Sequence, residues 1–145
     1  VTAAQRALER DFAGEGSEMG IDGGLARIER GGTIPAYDYI DMTTGRRRLV
    51  QAMDARLDGL DALVLPTVPI VAPKAADVAA ADEFGRKNAM LLRNTSMINF
   101  FDLCAISLPL PRDGGLATGL MLVGRNGSDA KLFSIAAAVE KLFAG

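Results

Sequence analysis

Two segments in the second half of the chain carry most of its structural information: NTSMINFFDLCAISLP, residues 94–109, and ATGLMLVGR, residues 117–125. Each contains an apolar run of strand length, at residues 105–110 and 118–123. The residues between these runs include Asp-Gly-Gly at positions 113–115, a sequence that favours a tight turn. The sequence therefore predicts an antiparallel β-hairpin.

A third strand is predicted upstream of the hairpin. Residues 61–66, DALVLP, form a short and nearly uniform apolar run, which is the pattern of a strand covered on both faces. Proline at positions 66, 69 and 73 then predicts a stiff extended loop. We expect this strand and the hairpin to share one sheet with helices on its faces, because an apolar sheet face must be buried against another layer. The edges of so small and apolar a sheet need neighbours.

Apolar residues at helical spacing predict four helices. The first covers residues 3–13 and is followed by Gly-rich sequence up to residue 32. The second is predicted from Leu49, Met53 and Leu57, with Arg46–Arg48 near its start and Gly59 at its end. The third covers residues 82–98, with Asp82 as its N-cap. The fourth follows Ser128 or Asp129 as N-cap and carries the stripe Leu132, Ile135, Val139 and Leu142. This order of helices and strands defines an α/β fold class.

Composition limits the function classes that fit. The 145 residues suffice for one domain with a real core, and residues 1–145 are interpreted as a single unit. The net charge of −2 offers no electrostatic footprint for nucleic acid or an anionic membrane. No apolar run reaches the ~18–20 residues that span a bilayer. Hydrophobic residues make up 49% of the chain, so either the core is rich in Ala and Leu or apolar faces pack on a part that is absent.

Histidine is absent from the chain, and cysteine occurs once, at position 104. An intrachain disulfide is therefore excluded, and neither a zinc site nor a histidine-activated nucleophile can be built within the chain. A single cysteine fits a reducing compartment. Because no His, Lys or Arg lies within four residues of Cys104, we expect a buried and inert thiol.

The segment from Asn94 to Arg125 resembles the C-terminal pattern of the amidase signature family, whose members read N-T-x-x-x-N-x-x-G-x-P-A-I-S-x-P and then G-L-x-L-V-G. Residues 66–69, PTVP, are similar to the family's T-P-T-x-P loop. The likeness is strongest from Asp61 to Phe143. It implies that this chain is the C-terminal part of the family's α/β/α fold, with a mixed sheet and helices on both faces.

The resemblance also implies an activity, which is hydrolysis of the C–N bond of a small amide or urea-like compound by a Ser–cis-Ser–Lys triad. Backbone N–H groups would form the oxyanion hole. The family carries its triad on a Gly/Ser-rich segment and an upstream strand, and neither is in this sequence. The expectation is therefore a chain that lacks the catalytic N-terminal portion, contains no catalytic residue and is inactive alone. Neither a metal nor an organic cofactor is expected.

Two alternatives to a stand-alone amidase stay open. The first is the A-type subunit of glutamine-dependent tRNA amidotransferase, a branch that typically has Asp where this chain has Leu92. Asp102 and Cys104 stand where many members have Gly and Pro, and the string FDLCA at 101–105 indicates an allophanate-hydrolase-like branch instead. The second alternative is a non-catalytic α/β module that binds a partner through its apolar faces.

The resemblance places four polar side chains beside the active-site mouth: Thr67, Asn94, Thr95 and Asn99. Amide and hydroxyl groups at a helix-to-strand junction can satisfy buried backbone, and this bracing role is the favoured interpretation for Asn94, Thr95 and Asn99. Direct lining of the substrate pocket is the alternative. Thr67 is the pocket candidate from the proline loop, because proline gives that loop a rigid rim. A plain loop that ends the strand is the alternative interpretation.

Arg46–Arg48 could clamp a substrate carboxylate, but consecutive residues point around a helix, so a solvated helix start is favoured. The expected partners are the small-molecule amide substrate of the intact enzyme and either the missing portion or further copies of this fragment. Nucleic acid and membrane are not expected as partners, and the expected location is cytoplasmic.

Overall fold

The computed structural model describes residues 28–29, 31–110 and 114–144, so the predicted helix at 3–13 lies outside the described residues. The chain divides into two compact units, Val1–Thr44 and Gly45–Gly145, and the sheet belongs to the second. The elements within the described ranges are α1 (Ala36–Leu57), β1 (Leu63–Pro66), a 3₁₀ turn (Ala75–Val78), α2 (Ala81–Phe100), β2 (Cys104–Pro109), β3 (Gly119–Gly124) and α3 (Asp129–Ala144).

The three strands form one sheet in the order β1-β3-β2. The predicted hairpin of β2 and β3 and its shared sheet with β1 are confirmed. Gly114 and Gly115, which precede β3, have φ of +91° and +76°, a left-handed backbone that glycine adopts without steric cost. The prediction of a mixed sheet is wrong for the described residues: β3 runs between β1 and β2 in the opposite direction to both, so every pairing is antiparallel.

Helices cover both faces of the sheet, as predicted. On one face Leu122 of β3 and Leu108 of β2 pack with Leu132 and Ala136 of α3. Successive side chains of a strand point to opposite faces, so the neighbours of Leu122 in β3 face the other side of the sheet. There Met121 and Val123, the neighbours of Leu122 in β3, form a second buried cluster with Ile98 of α2.

The stripe predicted for α3 is correct over most of its length. Leu132 is buried, and Ile135 and Val139 pack against the same cluster. The prediction of Leu142 as a core residue is wrong, because this side chain is 79% exposed. Phe143, one position further along the helix, packs on the cluster instead.

Strand β1 corrects a second prediction, since its apolar run is not covered on both faces. Leu63 and Val64 are 38% and 53% exposed. The run is apolar as expected, but β1 is an edge strand in the described sheet, and the helices cover mainly β2 and β3. Only Leu65 and the preceding Ala62 pack on the buried clusters.

Helix α1 begins directly after Pro35, so Arg46–Arg48 lie in the middle of the helix and not near its start as predicted. Its predicted end at Gly59 is confirmed: Gly59 has a φ of +80°, a conformation that terminates helices at little cost for glycine. Helix α2 begins at Ala81 without a side-chain cap, so the prediction of Asp82 as N-cap is wrong. Asp82 lies in the first turn, where its charge complements the helix dipole.

Candidate functional site

Polar groups from four elements meet where β1 ends. The side-chain Nδ2 of Asn94 in α2 donates to the carbonyl of Pro66 at 2.7 Å. The Thr67 hydroxyl shares a hydrogen bond of 2.5 Å with the hydroxyl of Ser107 in β2. The Thr67 backbone N–H donates to the carbonyl of Gly119 in β3 at 2.9 Å. This set, called the hydroxyl cluster below, ties the start of the proline loop to α2, β2 and β3.

Gly119 makes room for the two hydroxyls of the cluster. A Cβ at this position would lie 2.6 Å from both the Ser107 Oγ and the Thr67 Oγ1. These separations are well inside van der Waals contact, so only glycine fits without a shift of its neighbours. Sequence reasoning did not identify Ser107 or Gly119 as part of the site, because neither residue carries a local signal for this contact.

The four sequence-predicted candidates separate into two groups. Thr67 and Asn94 come together in the hydroxyl cluster. Thr95 does not join them, since its hydroxyl donates to the carbonyl of Leu92 within α2 at 3.2 Å. Asn99 contributes a main-chain carbonyl that accepts from the backbone N–H of Asp102 at 3.2 Å. Whether any of the four contacts substrate stays a prediction.

Replacing Asn94 by alanine is expected to reduce the free energy of unfolding by about 1 kcal/mol, because the Pro66 carbonyl loses its donor from another element. Thr95→Ala is the matched control, since its hydroxyl bonds within its own helix. Urea unfolding followed by far-ultraviolet circular dichroism measures both. An equal or larger loss for Thr95→Ala would contradict the bracing role of Asn94.

The turn after α2 is held by Arg46 of α1. Its guanidinium pairs with the Asp102 carboxylate, and its Cζ lies 5.7 Å from the centroid of the Phe100 ring. Asp102 has a φ of +55°, in the left-handed region that favours glycine, which explains why glycine is common at this position in the resembled family. Aspartate tolerates this backbone and adds a carboxylate for Arg46. This arrangement favours a structural role for Arg46 over the carboxylate clamp.

A second charged cluster joins the end of β3 to α1. Arg125 Nε and Nη2 donate to both oxygens of Asp54 at 2.7 and 2.6 Å. Its Nη1 donates to Asp58 Oδ1 at 2.8 Å. Hydrogen bonds from Arg125, more than its charge, lower the pKa of Asp54 below the ordinary value, and burial opposes this only in part. The hydrogen bonds with Asp54 likewise raise the pKa of Arg125.

Asp54→Asn is expected to destabilise the fold near neutral pH and to have less effect in acid. Because the folded pKa of Asp54 is lowered, its carboxylate stabilises the fold above the pH at which unfolded aspartate ionises, about 4. That stabilisation is lost as the pH falls through the lowered folded pKa. The difference in urea midpoint between the wild type and Asp54→Asn should therefore shrink below about pH 4. A difference that grows in acid would contradict this assignment.

An open cavity of about 510 Å³ borders this cluster. Its wall combines apolar side chains with polar groups: Val50, Asp54, Phe101, Leu103, Arg125, Asn126, Gly127, Ser128 and Lys131. Both positively charged side chains on the wall are paired. Arg125 pairs with Asp54, and Lys131 Nζ lies 2.9 Å from Asp61 Oδ1. The geometry therefore does not point to an anion site.

Cys104 is half-buried near this wall, where its thiol donates to the Arg125 carbonyl at 3.1 Å and lies 3.3 Å from the Ser128 hydroxyl. The described ranges contain no group of three His, Cys, Asp or Glu side chains arranged to hold a metal ion. No helix within those ranges is long and apolar enough to cross a membrane.

The arrangement defines an α/β protein with a three-stranded antiparallel sheet between two helices, and residues 21–133 match the Amidase family. The chain therefore belongs to the amidase signature family, which confirms the resemblance seen in its sequence. A crystal structure of an amidase matches 93% of this chain with a TM-score of 0.68 at 22% identity, and the match covers 31% of that chain. It shows that the two share a fold.

Other relatives differ in what their names say they do. The chain is 37% identical over 117 residues to 2-amino-5-chloromuconic acid deaminase of Comamonas testosteroni, covering 80% of this chain and 25% of the deaminase. The A-type subunit of glutamyl-tRNA(Gln) amidotransferase from Thermotoga maritima matches 95% of this chain with a TM-score of 0.58 and 25% identity, and the match covers 31% of that protein. The chain thus spans about a quarter to a third of these relatives' length.

Proposed function

We propose that this chain is the C-terminal portion of an amidase signature hydrolase that cleaves the C–N bond of a small amide or urea-like compound. A Ser–cis-Ser–Lys triad on a part of the polypeptide outside this chain would perform the reaction. One observation carries the proposal: the family match extends over residues 21–133, whereas the matched region is only 25% of the deaminase. The chain would therefore supply scaffold to a larger catalytic domain.

The serines in contact with other elements support a non-catalytic role for this portion. The Ser107 hydroxyl bonds to the Thr67 hydroxyl, which is not a base. The Ser128 hydroxyl donates to the Arg125 carbonyl at 2.6 Å. A serine nucleophile needs a neighbouring group that accepts its proton, such as the neutral lysine of a Ser–Ser–Lys relay. Neither contact provides such a group.

The hydroxyl cluster supports a scaffold role with a specific purpose. It fixes Pro66, which ends β1, and Thr67, which begins the proline loop, to three other elements. A loop held in this way keeps its shape when a ligand binds beside it, which lowers the entropy cost of binding. We propose that Thr67 and Asn94 thereby shape one rim of the substrate pocket, while Asn99 supports the junction after α2 and Thr95 bonds within that helix.

A small-molecule substrate is favoured over a tRNA-linked one. The amidotransferase branch typically has Asp where this chain has Leu92, and the chain shares 37% identity with a deaminase named for a small organic acid. The likeness to the Thermotoga amidotransferase protein keeps that branch as the second candidate. The proposal includes a cytoplasmic enzyme that acts without nucleic acid, a membrane or a cofactor.

The test compares this 145-residue chain with the complete product of its gene. Intact mass gives the length of the product, and ammonia release from a panel of small amides and urea-like compounds gives the activity. We expect no release by the 145-residue chain and release by a longer gene product. Turnover by the short chain that disappears on Ser107→Ala or Ser128→Ala, but not on Ser134→Ala, would contradict the proposal.

A further inference from the structure

We propose that the hydroxyls of Thr67 and Ser107 together form a hydrogen-bond donor site for an uncharged acceptor group of the substrate, such as a carbonyl oxygen. Ser107 is then a specificity-determining residue of the pocket rim. The inference rests on the proposed function, because that function places Thr67 at the rim of the substrate pocket.

The pair of hydroxyls has one donor to spare. Each hydroxyl carries one proton, and the bond of 2.5 Å between the two oxygens uses only one of these protons, whichever residue donates it. In the described part of the chain, no other side chain or backbone group accepts from either hydroxyl. A hydroxyl that accepts one hydrogen bond also donates the next one more strongly. The pair therefore offers one reinforced donor to a ligand.

The pair is open to a ligand from the α2 side of the sheet. Gly119 faces the same side as Met121, two positions further along β3, and Met121 packs with Ile98 of α2. Because β3 lies between β1 and β2, the two hydroxyls reach across about 10 Å of sheet and meet over Gly119. Ser107 is exposed, so α2 does not cover it. The absence of a side chain at Gly119 thus lets the pair form in a place that a ligand can reach.

The bonding of the pair favours an uncharged ligand group over an anion. Neither hydroxyl bonds to a charged side chain within the described ranges. The ion pairs of Arg125 lie beyond the far end of β3, about 17 Å along the strand from Gly119, and salt screens exposed charges over that distance. A neutral donor with no cation bonded beside it gives a carboxylate no advantage over a carbonyl oxygen. The pair therefore suits the carbonyl of an amide or urea-like compound, and such a site discriminates against analogues that lack the acceptor.

Binding of small probes to the complete product of the gene tests the site without relying on turnover. Cyclopentanone carries a carbonyl oxygen, cyclopentene is a ring of the same size without one, and butyrate is a charged acceptor. With isotope-labelled threonine methyl groups, the Thr67 methyl signal in nuclear magnetic resonance spectra reports binding, and its loss in Thr67→Ser assigns it. We expect cyclopentanone to shift this signal saturably, with a lower dissociation constant than either of the other probes. Equal or tighter binding of cyclopentene or butyrate, or the lack of a saturable shift, would overturn the proposal.

Two variants of Ser107 separate a donor from a brace of the proline loop. Ser107→Ala should weaken cyclopentanone binding about 3- to 10-fold but cyclopentene binding by less than about 2-fold, because only the ketone uses the hydrogen bond. Ser107→Thr keeps the hydroxyl and should stay within about 2-fold of the wild type for both probes. Equal weakening of both probes by Ser107→Ala would show that Ser107 only holds the loop, and the donor site would then be wrong.

The same experiment separates the donor site from the proposed function. A complete product that binds cyclopentanone at Thr67 but releases no ammonia from any amide of the panel would contradict the proposed function alone. Release of ammonia without a shift of the Thr67 signal would contradict the donor site alone.

Discussion

Replacing Leu122 by alanine is expected to lower the free energy of unfolding by about 2–5 kcal/mol, which is the range for truncating a buried leucine. Leu122 is 2% exposed and lies in the central strand, where it pairs with Val64 and Ile106 across the sheet. It also packs in the cluster that α3 forms on the sheet. Removing its side chain leaves a cavity between the sheet and α3, and these two layers cannot move together enough to fill it.

Leu142→Ala in α3 is the matched control, because it is the same chemical change at a site that is 79% exposed. We expect a change within about 0.5 kcal/mol for this variant. Urea unfolding of both variants is followed by far-ultraviolet circular dichroism, because the chain contains no tryptophan whose fluorescence could report unfolding. Similar losses for the two leucines would contradict the assignment of this core.

The part of the fold that could be predicted from the sequence is the part set by local patterns. The hairpin follows from two apolar runs around an Asp-Gly-Gly turn, and the end of α1 follows from Gly59. Burial was harder to predict. The apolar run of β1 is compatible with a covered strand or an exposed edge, and only the neighbours of the strand decide between them. The start of α2 at Ala81 was missed because packing can fix a helix start without a cap.

The candidate site shows the same limit more clearly. Asn94 and Thr67 were identified because the family resemblance placed them beside the active-site mouth, and both take part in the hydroxyl cluster. Ser107 was missed because it contacts Thr67 from 40 positions away in the chain. Arg125 and Asp54 are 71 positions apart, so the pattern of the sequence gives no sign of their pairing. Contacts of this kind come from the fold, and no local signal precedes them.

Gly119→Ala is expected to destabilise the protein by about 1–3 kcal/mol, the usual range for an added methyl group that forces its neighbours to move. Its Cβ would lie 2.6 Å from two hydroxyl oxygens and 3.2 Å from the Cβ of Thr67. Rotating a hydroxyl away would break the hydrogen bond between Thr67 and Ser107. The variant should therefore loosen the proline loop as well as lower stability, and faster proteolysis of residues 67–74 would report that loosening.

The control for Gly119→Ala is Gly85→Ala, because Gly85 lies inside α2 with open space around its would-be Cβ. That change should stabilise the protein by about 0.5–1 kcal/mol, since alanine favours a helix interior over glycine. Ser107→Ala removes one of the two oxygens that crowd position 119. The double variant Gly119→Ala/Ser107→Ala should therefore lose less stability than the sum of its single changes. Strict additivity would show that the alanine methyl group and the Ser107 hydroxyl do not compete for the same space, and the steric account of Gly119 would then be wrong.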